Sequence, residues 1–400
     1  MSLFHIVLKS LRQHLFSTVV TAASIALAGG LLMSVWVVKE QSRATFTQVD
    51  GGFDAVLGVR SSPVQLVLNS VFHLESSPGN IQVSDFEEIK NDPSVAIAVP
   101  LAVGDNYHGY RIVGTTPDLF TKVELAPGKT HKLAAGRVFD EGYREAVVGS
   151  FVAQRLGLKE GDEFHPHHGF AHDDDHEHEE IYVVVGVLEP SNTPADRVIW
   201  IPLEGLQLMS GHREEAENEI SAVLVKVRSP IAGKMLQAKY NQPEGRLTLA
   251  WPIGTIVAQL FDKVTWLDRV LELIASLVAL VATASILASI YNSMNERRRE
   301  IAILRALGAH RGTIFSAVVV EAASIAALGM IAAFAVYGVI MGVVAGIVRA
   351  KTGVVLEPFA FHAVMLWAPA ALISISALAG IVPALKAYRT DVAENLVPVS

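Results

Sequence analysis

The chain has 400 residues, 51% of them hydrophobic and 18% charged. Its mean hydropathy is positive, which ordinary soluble domains rarely show, so part of it belongs in lipid. There is no cysteine, which excludes disulfides, thiolate metal sites and a cysteine nucleophile. The net charge of −8, carried mostly by the middle of the chain, argues against nucleic acid as a partner.

Residues 1–14 form a short basic lead with Lys9 and Arg12, and residues 15–38 follow without a charge. At about 1.5 Å per residue that run is long enough to cross a bilayer. Ala26-Leu27-Ala28 resembles a signal-peptide cleavage site, but the apolar run continues to Val38. A signal-peptide core spans only about 7–15 residues, so the segment reads as an anchor.

Residues 39–266 form a hydrophilic insertion large enough to bury its own core. Within it "SDFEEIKNDP" (84–93) predicts a helix with Ser84 as N-cap and Glu87 at the capping-box position. The runs "AIAVPLAV", "YRIVGTT", "EAVVGS", "EIYVVVGVL", "RVIWIPL" and "ISAVLVKVR" are Val/Ile-rich and bounded by Gly, Pro and Asn, the pattern of strands. The expectation is a mixed α/β domain, mostly β. "VELAPGKT" (123–130) ends like a phosphate-binding loop, but Val123 stands where the first glycine is required, and the segment reads as a turn.

The segment "EFHPHHGFAHDDDHEHEE" (163–180) gathers His165, His167, His168, His172, His176 and His178 among acids. Imidazole and carboxylate together suit Zn, Ni or Cu(II). Two pairings stand out: His172 with His176 at helical spacing, and His165 with His167 at strand spacing. A solvated hairpin tip between two strands is the plain alternative, and a pH-sensing cluster is another.

From Pro252 the apolar residues Ile253, Ile256, Val257, Leu260, Phe261, Val264, Leu267, Leu271 and Ile274 recur at helical spacing. A continuous helix from Pro252 to Asn295 would measure roughly 66 Å, about twice the hydrocarbon thickness. Its outer part, about 252–269, is expected to be a stalk. The extension of the first span over 39–50, or a second copy of the stalk, is expected to cover its stripe.

Three further spans are expected at 270–295, 314–348 and 363–385. The run from Thr313 to Val348 carries only Glu321, which is expected near the headgroups because an acid at the bilayer centre costs about 2.5–3.5 kcal/mol. The loop 296–313 holds Arg297, Arg298, Arg299, Arg305 and Arg311, whereas 349–362 holds only Arg349 and Lys351. By the positive-inside rule the arginine-rich loop is cytoplasmic. The insertion and the return loop 349–362 then face outward, and the N-terminus and the tail 386–400, with Lys386 and Arg389, lie inside. In that basic loop Ile301, Ile303, Leu304 and Leu307 share a face, Arg298 and Arg305 lie opposite, and Gly308 is placed to end the helix. An interfacial helix and a docking surface fit these residues equally well.

"NERRREIAILRALGAHRGTIFSAVVVEAASIAALG" resembles the segment by which permease subunits of ABC transporters in the MacB, LolC/LolE and FtsX group couple to their ATPase. "SLRQHLFSTVVTAASIALA" and "GIVPALKAYRTDVAENL" are similar to the first span and C-terminus of that group. "IVGTTPDLF", "LAAGRVFDEGYREAVVGSFVAQRLGLKEGDEF" and "VVVGVLEP" resemble its periplasmic core domain. The resemblance implies an integral membrane α-helical protein with four transmembrane helices in a 1+3 arrangement, and a periplasmic domain between the first and second. It implies a bacterial inner-membrane location, a second permease copy or paralogue, and a dimeric cytoplasmic ATPase that holds ATP and Mg. The chain itself is then not an enzyme. The residues matched to ATPase coupling are Glu296, Arg297, Arg298, Arg299, Glu300, Leu304, Arg305, Leu307, Gly308 and Arg311. A mechanotransmission permease is the leading reading. A zinc transport system using the histidine segment and an FtsX-like regulator of an envelope enzyme are the alternatives, and a periplasmic or outer-membrane partner is a further expectation.

Overall fold

The computed structural model describes residues 3–48, 51–126, 128–169, 178–209, 218–296, 309–352 and 355–389. They fall into two compact units. One comprises Met1–Gln41, Thr265–Gly346 and Glu357–Ser400, and the other Ser42–Val264 with Ile347–Leu356.

The second unit, the head, is organised by a large mixed sheet. Its long strand Val95–Tyr107 pairs antiparallel with Ala222–Val227 on one side and with Tyr110–Thr115 on the other. Beyond Ala222–Val227 lie Ala55–Val59 and Leu247–Ala250, and beyond Tyr110–Thr115 lie Ile199–Pro202, Glu145–Val148, Tyr182–Leu188 and Leu133–Gly136. Parallel pairing joins Ile199–Pro202 to Tyr110–Thr115, and Tyr182–Leu188 to Glu145–Val148. Each of the six Val/Ile-rich runs contributes a strand, because β-branched residues fit a pleated surface buried on one or both faces. Tyr182–Leu188 shows the alternation directly, with every second residue buried. One core cluster joins Phe53, Leu66, Val99, Val113, Trp200 and Leu224.

Two local expectations change or gain detail. The helix expected over 84–93 runs from Val83 to Lys90, with Gln82 as its N-cap and not Ser84. Ile81–Gln82 pairs with Glu219–Ile220 as a short strand, so the helix starts where that pairing ends. The Gln82 N–H donates to Asp85 Oδ2 at 3.0 Å, which gives Asp85 the role expected of Glu87, and Arg246 Nη1 holds the same oxygen at 2.7 Å. "VELAPGKT" forms the antiparallel pair Glu124–Ala126 and Lys129–Thr130, with Gly128 at φ +71 in the turn.

The first unit is helical. Three helices are long and apolar enough to cross a membrane among the described residues: Leu15–Gln41, Arg311–Thr352 and Val364–Leu385. The fourth expected span lies in the inner part of the unbroken 44-residue helix Ile253–Glu296, where residues 273–295 carry no charge. Ile25, Ala28 and Met33 of the first span pack with Ala322, Ile325, Ala326, Met330 and Ala333 of the third and with Ala368 and Leu372 of the last. Small residues permit this approach. A Cβ on Gly329 would stand 2.7 Å from Cβ of Ile25, and one on Gly30 would stand 2.7 Å from Cβ of Val336.

Glu321, expected near the headgroups, has a protein partner that the sequence did not reveal. It is buried, and it accepts a hydrogen bond from the Ser10 hydroxyl on the N-terminal helix Leu3–Gln13. The sequence gives the cost of an exposed acid in lipid, but the partner that offsets it lies 311 positions away.

Candidate functional site

The stalk stripe divides in two. Ile253, Ile256 and Val257 are buried in the head core together with Phe53, Leu224 and Ala250, and Phe261 packs against that cluster. The Ile253 N–H donates to Asp54 O at 3.0 Å. The head sheet thus covers the first turns of the stripe, in place of the expected neighbouring helix, because Leu247–Ala250 pairs at the sheet edge and delivers the chain directly into the helix. Leu260 is half-buried, and the side chains of Val264 and Leu267 lie outside the described residues. Farther along, past the expected end of the stalk, Lys39 Nζ meets Glu272 Oε1 at 2.6 Å.

Glu296 is the last residue of that helix. Arg297, Arg298, Arg299, Glu300, Leu304, Arg305, Leu307 and Gly308 lie outside the described residues. Arg311 is exposed at the start of Arg311–Thr352.

At the far end of Arg311–Thr352 the chain meets two sets of partners, one in each unit. Within the head unit, Arg197 donates through Nη1 to Lys351 O, and the Arg349 guanidinium lies 5.7 Å from the Phe151 ring centre. Within the helical unit, Gln41 clasps the backbone of Glu357, donating Nε2 to its O at 2.7 Å and accepting its N–H at 2.9 Å. Gln41 Nε2 also meets His362 Nε2 at 2.8 Å. Near Arg197, His73 is held far below its ordinary value, to about 3, by burial and then by the charges of Arg111 and Arg197. Its ring lies edge-on to Trp200 with centres 5.5 Å apart. Burial also lowers His131, to about 4.

The histidine segment is sorted by the sheet. His167–His168 pairs antiparallel with the long strand, His167 opposite Asn106 and His168 opposite Asp105. Asp105 sits where the pairing with Tyr110–Thr115 shifts register after Val103, a bulge of the kind that re-aims a side chain. Its side chain is fully buried. His178 returns to the same place, its N–H donating to Pro166 O at 2.9 Å. His178 Nε2 lies 3.3 Å from Asp105 Oδ1, and His168 Nδ1 lies 3.4 Å from it. The three offer one ligand atom each, all within 4.8 Å of one another.

Neither expected histidine pair forms this cluster. His165 Nδ1 contacts His178 O at 3.3 Å, and His167 stacks on Tyr107 with ring centres 6.1 Å apart. Adjacent side chains on a strand face opposite ways, so the strand turns His167 away from the face that His168 shares with Asp105. His172 and His176 lie outside the described residues. Asp105 escaped the sequence reading because it lies more than sixty positions upstream of His168, and no local spacing ties it to the histidine segment.

A mixed-sheet head joined to several apolar helices of membrane-crossing length defines the class: a multi-span membrane protein with a large domain outside the lipid. Residues 272–392 match the FtsX-like permease C-terminal family. The head is similar to the extracellular domain of the noncanonic ABC-type transporter YknZ from Gram-positive bacteria, at 17% identity and a TM-score of 0.31, over 49% of this chain and 99% of that one. It is also similar to the periplasmic region of MacB from Actinobacillus actinomycetemcomitans, at 10% identity and a TM-score of 0.34, over 53% of this chain and 94% of that one. No curated protein matches the chain.

Proposed function

We propose that the chain is the permease subunit of an ABC transporter, non-catalytic itself, which couples ATP hydrolysis on a separate cytoplasmic ATPase to movement of an outward-facing head. The observation that carries this reading is one helix that begins in the head core at Ile253 and ends, inside the matched permease region, at Glu296 beside the arginine-rich loop. A force applied at the loop would have one continuous hydrogen-bonded helix to act along. The contact of Arg197 with Lys351 lies within the head unit, and the orientation of the head and the return loop rests on the positive-inside rule. With the basic loop inside, both then lie outside. This arrangement suits export, extraction or hand-over of a substrate already beyond the inner membrane.

The test is co-purification. Membranes solubilised around the native chain should yield an ATPase subunit with ATP-hydrolysing activity, and the double charge reversal Arg298→Glu/Arg305→Glu should release it. Undiminished capture by that variant would reject the docking role. Service in metal transport is a second reading, favoured by the cluster of Asp105, His168 and His178.

A further inference from the structure

We propose that Asp105, His168 and His178 form a binding site for a divalent transition-metal ion of the zinc class. The site stands on the head alone and does not depend on the ATPase reading.

The distances suit an ion, although His178 Nε2 and Asp105 Oδ1 at 3.3 Å also lie within hydrogen-bond reach. At 3.3 and 3.4 Å the two imidazole nitrogens lie beyond the best range for a charge-assisted bond to a carboxylate, about 2.7–2.9 Å. They match the edge of a tetrahedron whose metal–ligand bonds are about 2.0–2.1 Å, which is about 3.4 Å. The two rings lie 5.5 Å apart at 70°, so their edges converge without stacking. Two imidazoles and one carboxylate are a borderline-soft set that suits zinc, nickel or copper(II) over magnesium or calcium.

The surroundings fix each ligand before an ion arrives. Asp105 is anchored in the sheet at the bulge, and His168 is held opposite it by strand register. Gly169 N donates to Gly104 O at 3.1 Å, and Asn106 Nδ2 donates to Gly169 O at 2.9 Å. His178 and Asp105 are buried, whereas the His168 side chain is 52% exposed, so the site opens to solvent on one side. Three protein ligands with an open position accept a water or an exchanging ligand, unlike the closed four-ligand sites that only brace a fold. Bound there, the ion would tie His168 and His178, ten positions apart within the histidine-rich tract, to the long strand.

The full-length chain, purified in detergent and stripped with a chelator, tests this by calorimetric zinc titration and by the visible absorption of bound cobalt(II). We expect one tight zinc per chain and an intense tetrahedral cobalt spectrum. Asp105→Asn, His168→Gln and His178→Gln should each weaken zinc by more than the roughly 10–100-fold that changes behind a ligand cost. The double variant His172→Gln/His176→Gln should keep the tight ion. His168 is half-exposed, so its variant tests the site even where substitution of buried Asp105 impairs folding. Zinc affinity unchanged in His168→Gln, loss confined to His172→Gln/His176→Gln, or a weak octahedral cobalt spectrum would each overturn the proposal.

Discussion

His73 shows how much one residue's environment sets its chemistry. Burial beside Arg111 and Arg197 holds it neutral, to about 3 against an ordinary 6.5. The unfolded chain therefore takes up a proton before the folded head does as pH falls. Head stability should be full above about pH 6.5 and decline by roughly 1.4 kcal/mol per pH unit from this group on the way down towards pH 3. His131, lowered to about 4, adds to the same slope. His73 has φ +53, so His73→Asn, a residue tolerant of the left-handed region, is the suitable non-titrating replacement. Denaturant unfolding at pH 7 and pH 5 should show a smaller difference in the variant than in the native chain, and equal differences would exclude His73 as the source. Asp105 carries the same lesson: as a lone acid it signals nothing, and beside His168 and His178 it completes a ligand set.

Among the elements, the long helix Ile253–Glu296 has the most to explain. Its apolar stripe is legible in sequence, but a stripe states only that a partner exists. The sheet edge at Leu247–Ala250 makes the head that partner over the first turns. Ile253→Ala should consequently cost about 2–5 kcal/mol of head stability, as truncations in packed cores do. Trp266, 64% exposed on the same helix, provides the control. Thermal unfolding that treats Ile253→Ala and Trp266→Ala alike would show that the helix is not rooted in the head. The Gln82 cap displaced Ser84 for a related reason: a two-residue strand pairing with Glu219–Ile220 decided where extended backbone stops, and no local pattern announces it.

For the whole molecule, the absence of cysteine makes the lever directly testable. Cysteines introduced at Lys39 and Glu272, whose charged ends meet at 2.6 Å, will be the chain's only thiols and can be joined by a short bifunctional thiol cross-linker that spans the length of the two side chains they replace. If nucleotide drives the long helix against the first span, cross-linking yield in the ATPase complex should differ between ATP-bound and nucleotide-free states, and locking the pair should stop substrate movement. Identical yields in both states would refute the lever. The apolar runs, the arginine-rich loop and the six Val/Ile-rich strands were legible in the sequence because each expresses a local rule: hydrophobic length, charge asymmetry or β-branched clustering. They determined a membrane protein with a mixed, mostly β head, and their wording resembled one permease group. Tertiary structure alone decided that Ser10 meets Glu321, that the long helix starts in the head core, and that two of the four described histidines of the tract join Asp105. Those pairings span tens to hundreds of positions, and hydrophobic periodicity has a memory of only a few residues; sheet register and helix packing supply the rest.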